Sequence, residues 1–209
     1  MRALLLVGLL PMLALPVAAE RSKPVKELQT IYAEFQGFKD SQKFKNVCYS
    51  SSAPFAAWAR KVNSLNANSG LEVMREVGVI PSDLWQLGME YCRGTEKSVY
   101  AQDLDRSFYY ALTDFKVKKG QQKVVRRDIA CPSIISFNEN RKAMDEGRYS
   151  DSEKIWKDGK CYPLYTGEVI TGPVARDDVG SEGGSNTYVQ VVRENGEKLW
   201  ILAASFADE

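Results

Sequence analysis

Hydrophobic positions in the first half of the chain recur every three or four residues, the spacing of one face of an α-helix. The repeats are Leu28, Ile31, Tyr32 and Phe35; Phe55, Trp58, Ala59 and Val62; Leu84, Leu87, Gly88 and Tyr91; and Tyr100, Leu104 and Phe108. Large aromatic side chains at this spacing are usually buried anchors, so we expect Trp58, Trp85 and Tyr91 in a core. The pattern predicts a small helical bundle over residues 20–113.

Helix-ending residues support this division. Pro54 suits the first turn of the second helix, and Ser69 with Glu72 has the spacing of a capping box. Gly78 and Gly94 stand where helices should end. The bundle should therefore consist of several short helices with tight connections.

The pattern changes to that of strands towards the C-terminus. After two short helical stretches, at 138–146 and 152–157, positions 187–194 alternate between apolar and polar residues. Asn195-Gly196 is a two-residue hairpin signal, followed by a return strand over 198–206. The Gly- and Ser-rich stretch 180–186 is predicted to be a loop. Several short strands in one region favour a small barrel, because closing a sheet removes its edges.

Between these halves, residues 114–130 form a basic segment. Its charges are Lys116, Lys118, Lys119, Lys123, Arg126 and Arg127. We predict a solvated linker or a hairpin, with binding of a phosphate-rich ligand as the alternative. The predicted organisation is therefore a helical domain at 20–113, this segment, and a helical extension with a barrel at 131–209.

The N-terminal residues predict export. Arg2 precedes an apolar stretch at 3–15, small residues end at Ala19, and a polar run follows. This order is typical of a cleavable signal peptide, and the apolar stretch is shorter than the roughly 20 residues that a membrane span needs. We predict signal-peptide cleavage near Ala19, a periplasmic or secreted mature protein, and no membrane span within it.

Four cysteines and no Cys-x-x-Cys motif fit an oxidising compartment. Three pairings are possible. We favour the local one, Cys48 with Cys92 and Cys131 with Cys161, because each pair then lies within one half of the chain. Each disulfide would close a loop of some tens of residues and stabilise the fold by roughly 3–4 kcal/mol.

The chain has no histidine, which excludes several kinds of catalytic site. Neither a Ser-His-Asp triad nor an imidazole metal site can form, and paired cysteines supply no thiolate. Beyond residue 19 the basic and acidic residues are equal in number, which argues against bulk electrostatic binding of nucleic acid. Carboxylate chemistry remains, as in glycoside hydrolysis by two acids. No cofactor or metal is predicted.

Residues of the C-terminal part resemble a bacterial SH3-like domain. They are the run 159–164 (Gly-Lys-Cys-Tyr-Pro-Leu), Gly167, Val169, the strand 188–191 (Tyr-Val-Gln-Val), Gly196 and Trp200-Ile201. Cys131-Pro132 and the following short helices resemble an extension stapled to the barrel through Cys161. One difference is Leu199, where such domains often have glycine before the tryptophan. The fold class is accordingly α+β, a small N-terminal helical bundle followed by a C-terminal SH3-like β-barrel.

The resemblance implies binding rather than catalysis, since exported domains of this type often target cell-wall material or peptides through an aromatic groove. The candidate ligand-binding residues are Tyr162, Tyr165, Tyr188 and Trp200. Aromatic faces stack on sugar rings or proline-rich segments. Because neighbouring side chains point to opposite faces of a strand, Tyr188 should be exposed if Val189 is in the core.

Three functions follow for comparison. The first, which we favour, is a non-catalytic periplasmic binding or adaptor protein whose barrel contacts an envelope protein or peptidoglycan. The second is a peptidoglycan-acting enzyme with a carboxylate pair drawn from Glu72, Glu76 and Glu90, and a targeting barrel. The third is an inhibitor that blocks another enzyme by its shape, a role to which a rigid, disulfide-stapled protein is suited.

Overall fold

The computed structural model describes residues 20–39, 54–181 and 184–205 of the 209-residue chain. The predicted signal peptide and Cys48 lie outside these ranges. Within them the fold is α+β, with helices through the first half and strands concentrated after residue 120. No helix in the described ranges combines the length and the apolar character that crossing a bilayer requires.

In the described parts of the helical half, residues 20–39 and 54–113, four helices surround one apolar core. They are α1 (Lys23–Phe38), α2 (Pro54–Val77), α3 (Pro81–Arg93) and α4 (Val99–Leu112). Serine side chains cap two of them, since Ser22 Oγ accepts from Val25 N and Ser98 Oγ accepts from Ala101 N. The predicted helical pattern is confirmed, and Gly78 and Gly94 directly follow α2 and α3.

Aromatic rings fill the centre of this core. The rings of Phe35 and Trp58 stack with centroids 5.5 Å apart, and Tyr91 meets Phe35 edge-on at 5.3 Å. The indole Nε1 of Trp58 donates to the backbone oxygen of Ile31 at 3.0 Å, so its one polar atom is satisfied inside the core. Ser69 interrupts α2 with φ −147° and ψ 16°, which matches the predicted helix start at this serine.

One carboxylate ties α1 to α4. Asp105 accepts hydrogen bonds from the side chains of Tyr32, Gln36 and Lys39, each at 2.9 Å. These three hydrogen bonds therefore hold α1 against α4 at one residue of α4.

The C-terminal half, residues 114–205, combines short strands with two helices. The strands are β1 (Gln121–Lys123), β2 (Asp128–Ala130), β3 (Tyr162–Leu164), β4 (Val169–Ser181), β5 (Gly184–Val192) and β6 (Lys198–Leu202). The helices are α5 (Ile134–Asp145) and α6 (Tyr149–Lys157), followed at the end by a 3-10 turn at Ala203–Ser205. The Asn195-Gly196 turn joins β5 to β6 as predicted.

The strands form two antiparallel sheets. The larger has the order β1-β4-β5-β6, and the smaller pairs β2 with β3. A backbone bridge between Cys131 and Trp200 connects them, with hydrogen bonds in both directions. Because the outer strands β1 and β6 do not pair with each other, the described strands do not form a closed barrel.

The basic segment supplies strands to both sheets. β1 pairs with β4, placing Gln122 opposite Ile170, and β2 pairs with β3, placing Ile129 opposite Pro163. Val124, between the two strands, is buried in the core of the C-terminal half. The segment therefore belongs to the β structure and does not form a hairpin with itself.

The stretch predicted to be a polar loop is mostly strand. β4 runs on to Ser181 and β5 begins at Gly184, with Gly180 opposite Ser185. Backbone pairing between two neighbouring strands can continue without apolar side chains, so the polar composition did not reveal it.

The larger sheet is covered on both faces. Val189, Val191 and Ile201 point into one core, whereas Tyr188 points into a second core beneath α5. The prediction that Tyr188 is exposed is therefore wrong. Its ring meets Phe137 at 5.3 Å, and its hydroxyl donates to Asn138 Oδ1 at 2.9 Å.

A disulfide fastens this second core. It joins Cys131 to Cys161, the pairing that the sequence favoured, and both cysteines are buried. Cys92 is also disulfide-bonded, while its predicted partner Cys48 lies outside the described residues. The first bridge holds the strand that begins at Tyr162 beside the start of α5.

Candidate ligand-binding groove

The turn at Thr166-Gly167 in the C-terminal half packs directly against the helical half. Gly167 N donates to Val124 O at 2.7 Å within the C-terminal half, while its α-carbon lies against the backbone of Tyr110 on α4. Thr166 packs as closely on Gly78, since a Cβ there would lie 2.7 Å from its hydroxyl oxygen. The two halves are therefore in direct backbone contact.

Asp103 on α4 fixes this junction. It accepts a hydrogen bond from the Tyr165 hydroxyl at 3.0 Å and forms an ion pair with Arg127. The Tyr165 ring stacks on Tyr110 with centroids 5.5 Å apart and planes 13° apart. Burial, and secondarily the charge of Asp103, raises the pKa of the Tyr165 phenol, so the phenol stays neutral and keeps donating.

A groove runs along the surface of this junction. It consists of two cavities of about 590 and 420 Å³ that share Arg106, Tyr162, Pro163 and Tyr165. We call it the junction groove. The larger cavity is also lined by Val99, Tyr100 and Trp156, and the smaller by Tyr110, Phe115, Glu168 and Arg193. Each volume is in the range of small-molecule and peptide sites.

A buried ion pair holds the wall of the groove in place. Arg193 Nε lies 2.9 Å from Glu168 Oε1, and Arg193 Nη2 donates to Pro163 O at 2.6 Å. The same guanidinium lies over the Tyr162 ring, 5.8 Å from its centroid. Tyr162 and Pro163 are thus positioned by contacts beneath them, which leaves their outer faces to the groove.

Burial raises the pKa of the Glu168 carboxyl above its ordinary value of 4.5, and the Arg193 charge opposes this effect without cancelling it. A raised pKa means that the folded state holds the proton more tightly than the unfolded chain. The corresponding stabilisation is complete below the ordinary pKa and is lost as pH rises through the raised one.

We therefore expect Glu168→Gln to remove a pH-dependent loss of stability. The free energy of unfolding of the native protein minus that of the variant should decrease as the pH rises from below 4.5, the ordinary pKa of the carboxyl, through its raised pKa. Urea unfolding at several pH values measures it. Glu194→Gln, at the exposed rim of the same groove, is the control and should leave the profile unchanged. Parallel profiles for the native protein and Glu168→Gln would contradict the expectation.

Arg106 is the charged residue that lines both cavities, whereas Asp103 and Glu153 line only the larger one and Glu168, Arg193 and Glu194 only the smaller one. It is exposed on α4 and lines both cavities, yet it forms no ion pair with any residue in the described ranges. Its positive charge lowers the pKa of Tyr165, Tyr110 and Glu168, against the larger raising effect of their burial. These effects place its guanidinium within electrostatic reach of all three side chains.

The four predicted binding residues separate into two places. Tyr162 and Tyr165 line the junction groove, although Tyr165 is largely buried by the junction contacts. Tyr188 and Trp200 lie in neither cavity and instead contact the cluster of Phe137 and the disulfide, where Tyr188 is buried and Trp200 is partly buried. Two of the four predicted residues are therefore brought together in the groove, and the other two pack against the second core.

Sequence reasoning missed the helical contribution to the groove. Tyr100 was expected to share a buried face with Leu104 and Phe108, but Tyr100 is 52% exposed while the other two are buried. Tyr100 lies in the first turn of α4, beyond the end of the core. A large aromatic at the open end of an amphipathic helix is the signal that could have indicated an exposed surface.

Two of the three carboxylates considered for catalysis make structural contacts away from the groove. Glu90 accepts from Thr95 Oγ1 at 2.7 Å, which stabilises the connection between α3 and α4. Glu76 accepts from Ser22 N at 3.1 Å at the start of α1, and Glu72 is exposed on α2. Within the described ranges, no cluster of three or more cysteine, aspartate or glutamate side chains is arranged to hold a metal ion.

Comparison of the chain with protein-family models, with curated proteins and with solved structures gives no match in any of the three.

Proposed function

We propose that this chain is an exported, non-catalytic binding or adaptor protein that contacts an envelope protein or cell-wall material. The observation that carries the proposal is the junction groove, a surface lined by aromatic rings and the exposed guanidinium of Arg106. Its walls are held by the hydrogen bond from Tyr165 to Asp103 and by the ion pair of Glu168 with Arg193. Rigid aromatic surfaces bind with little loss of conformational entropy.

The use of carboxylates around the groove favours binding over bond cleavage. Asp103 is engaged by Tyr165 and Arg127, and Glu168 is engaged by Arg193 and the Tyr165 amide. Both of these carboxylates therefore act as structural anchors. The groups left to face a ligand include the aromatic rings, Arg106 and the exposed side chains of Glu153 and Glu194.

Further features support the proposed export of the chain and the proposed relation of its C-terminal half to SH3-like domains. The disulfide between Cys131 and Cys161 is of the type that persists in oxidising compartments, and the sequence start has the order of a signal peptide. The antiparallel β4, β5 and β6 strands support our proposal that the C-terminal half is related to SH3-like domains. In this proposal the helical half completes the binding surface.

Site-specific photo-crosslinking tests the function. Benzoylphenylalanine in place of Tyr162 should capture one discrete protein partner or wall fragments in the intact envelope. The same group in place of Val174, which is 51% exposed on β4 and outside the groove, is the matched control and should capture neither. Equal capture at both positions, or none at Tyr162, would contradict the proposed function.

Two further assays separate the alternatives. A captured enzyme whose activity falls when the purified chain is added favours the inhibitor. Release of soluble sugar fragments from peptidoglycan, lost in Glu90→Gln, favours the carboxylate enzyme.

A further inference from the structure

The central part of the basic segment carries positive charge that the described fold does not neutralise. Residues 115–127 include six lysines and arginines and no aspartate or glutamate. Arg127 is ion-paired at the junction. Lys116, Lys118 and Lys119 are exposed and form no ion pair with any residue of the described ranges. Three unpaired positive charges therefore stand within four consecutive positions of the chain.

A hydrogen-bonded turn at the outer edge of the larger sheet presents these lysines. Gln121 N donates to Lys118 O at 3.0 Å, and Lys118 N donates to Gln121 Oε1 at 3.0 Å. Gly172 N on β4 donates to Gly120 O at 3.1 Å, which fastens the turn to the sheet beside its outer strand β1. Because the backbone is already fixed, little conformational entropy is lost when the lysines meet a ligand.

The neighbouring carboxylates leave the local charge positive. Asp114, which precedes the segment, forms an ion pair with Arg21 at 2.7 Å. Phe115 lines the smaller cavity of the groove, and that cavity contains the ion-paired Glu168 and the exposed Glu194. Within the part of the chain that the structure describes, Glu194 is thus the unpaired carboxylate of this set, against three unpaired lysines.

Exposed apolar side chains accompany the lysines. Val117 lies between two of them and is 46% exposed, and Tyr109 on α4 is 48% exposed. The ring of Phe115 meets Tyr109 and Tyr110 with centroids 5.6 and 5.7 Å apart, which places the start of the segment beside an exposed aromatic ring. Lysines interspersed with exposed valine and tyrosine suit the surface of an anionic bilayer, where lysines reach the headgroups and apolar groups enter the interface.

We propose that Tyr109 and residues 115–119, which we call the basic face, bind the surface of an anionic phospholipid membrane. The lysines would lie at the level of the headgroup phosphates, and Val117 and Tyr109 would contact the boundary between headgroups and acyl chains. The lysines line neither cavity of the junction groove, so a small anion held there would stay largely in water. A surface of many headgroups can instead meet all three charges at once.

Co-sedimentation of the purified full chain with lipid vesicles tests the inference. Vesicles with about 30% phosphatidylglycerol in phosphatidylcholine should bind it roughly a hundredfold more tightly than pure phosphatidylcholine, since each lysine contributes about fivefold. The apolar stretch at 3–15 is present in both measurements, so the ratio reports on charge. Raising NaCl from about 100 to about 500 mM should remove most of this preference, because the screening length falls from about 10 to about 4 Å.

Replacing Lys116, Lys118 and Lys119 together by glutamine should abolish most of the preference for anionic vesicles. Val117→Ser should weaken binding to anionic vesicles by about threefold, because it removes an apolar contact and no charge. The urea midpoint of the triple variant should equal that of the native protein, since the three side chains are exposed and unpaired.

A second triple variant is the matched control. It changes Lys142, Lys154 and Lys160 to glutamine, which removes the same net charge from exposed positions outside the basic face. Its affinity for anionic vesicles should stay within about twofold of the native value, because charges farther away than a screening length contribute little.

Three outcomes would overturn the inference. They are equal binding to anionic and neutral vesicles, equal losses in the two triple variants, and a chain that binds inorganic phosphate or a single-stranded DNA oligonucleotide through the three lysines but does not bind anionic vesicles. The proposed function is tested separately, because the crosslink at Tyr162 reports on the junction groove and the vesicles report on the basic face.

Discussion

Replacing Gly167 with alanine is expected to lower the free energy of unfolding by about 3 kcal/mol. Gly167 has a φ of +86°, a conformation that costs an L-residue roughly 1–2 kcal/mol. The added Cβ would also lie against the backbone oxygen of Tyr110 and 3.1 Å from its carbonyl carbon. Since both atoms belong to a helix backbone, the clash can be relieved only by moving the two halves apart.

Gly196→Ala separates these two costs. Gly196 has nearly the same φ, +84°, but a Cβ there would meet nothing within 4 Å. Gly196→Ala should therefore lower the free energy of unfolding by only the conformational cost, about 1 kcal/mol. Urea denaturation of the two variants gives the difference, which measures how tightly the halves are joined. Equal decreases in the free energy of unfolding of both variants would show that the two halves move apart at little cost. In that case the contact with α4 would not set the width of the groove.

Local patterns predicted the local structure well. The spacing around Phe35 and Trp58 fixed a helical face, because residues three or four apart meet on a helix regardless of what surrounds it. Ser69 and the Asn195-Gly196 turn were predicted for the same reason, since caps and turns depend on a few adjacent residues.

Long-range features escaped prediction. Alternation correctly put Tyr188 and Val189 on opposite faces of β5, but α5, some 50 residues away in sequence, covers the face that was expected to be open. A period of two residues tells which side chains share a face and not what packs against that face. The burial of Tyr188 could therefore not be inferred from its own strand.

The candidate site shows the same limit. Tyr162 was proposed from the C-terminal pattern, but the groove exists only because α4 brings Tyr100 and Arg106 beside it. Tyr165 and Asp103 are separated by 62 positions in the chain, yet their hydrogen bond defines the junction. The binding surface is thus a product of how the two halves dock, and a search of either half by itself finds only part of it.

The disulfide adjoins the same surface. Cys161 directly precedes Tyr162 and itself lines the larger cavity, while its partner Cys131 lies at the end of the β2 strand that pairs with β3. The bridge therefore fixes one wall of the groove as well as the helical extension between its two ends.

Removing this disulfide by a Cys131→Ala and Cys161→Ala double replacement should lower the free energy of unfolding by about 3–4 kcal/mol. The cysteines are 30 residues apart, and opening a loop of that length returns roughly this much conformational entropy to the unfolded chain. Urea denaturation of the double variant against the native protein measures the loss. Substitution is needed, because a reductant would also open the disulfide at Cys92.

Reduction of the double variant then serves as the control. Dithiothreitol can act there only on the bridge at Cys92, so the further loss it causes is separate from that of the substitution. A loss below about 1 kcal/mol on substitution would contradict the loop-entropy argument. In that case, the packing of Phe137 and Tyr188 would be sufficient to hold the extension and the groove wall without a covalent link.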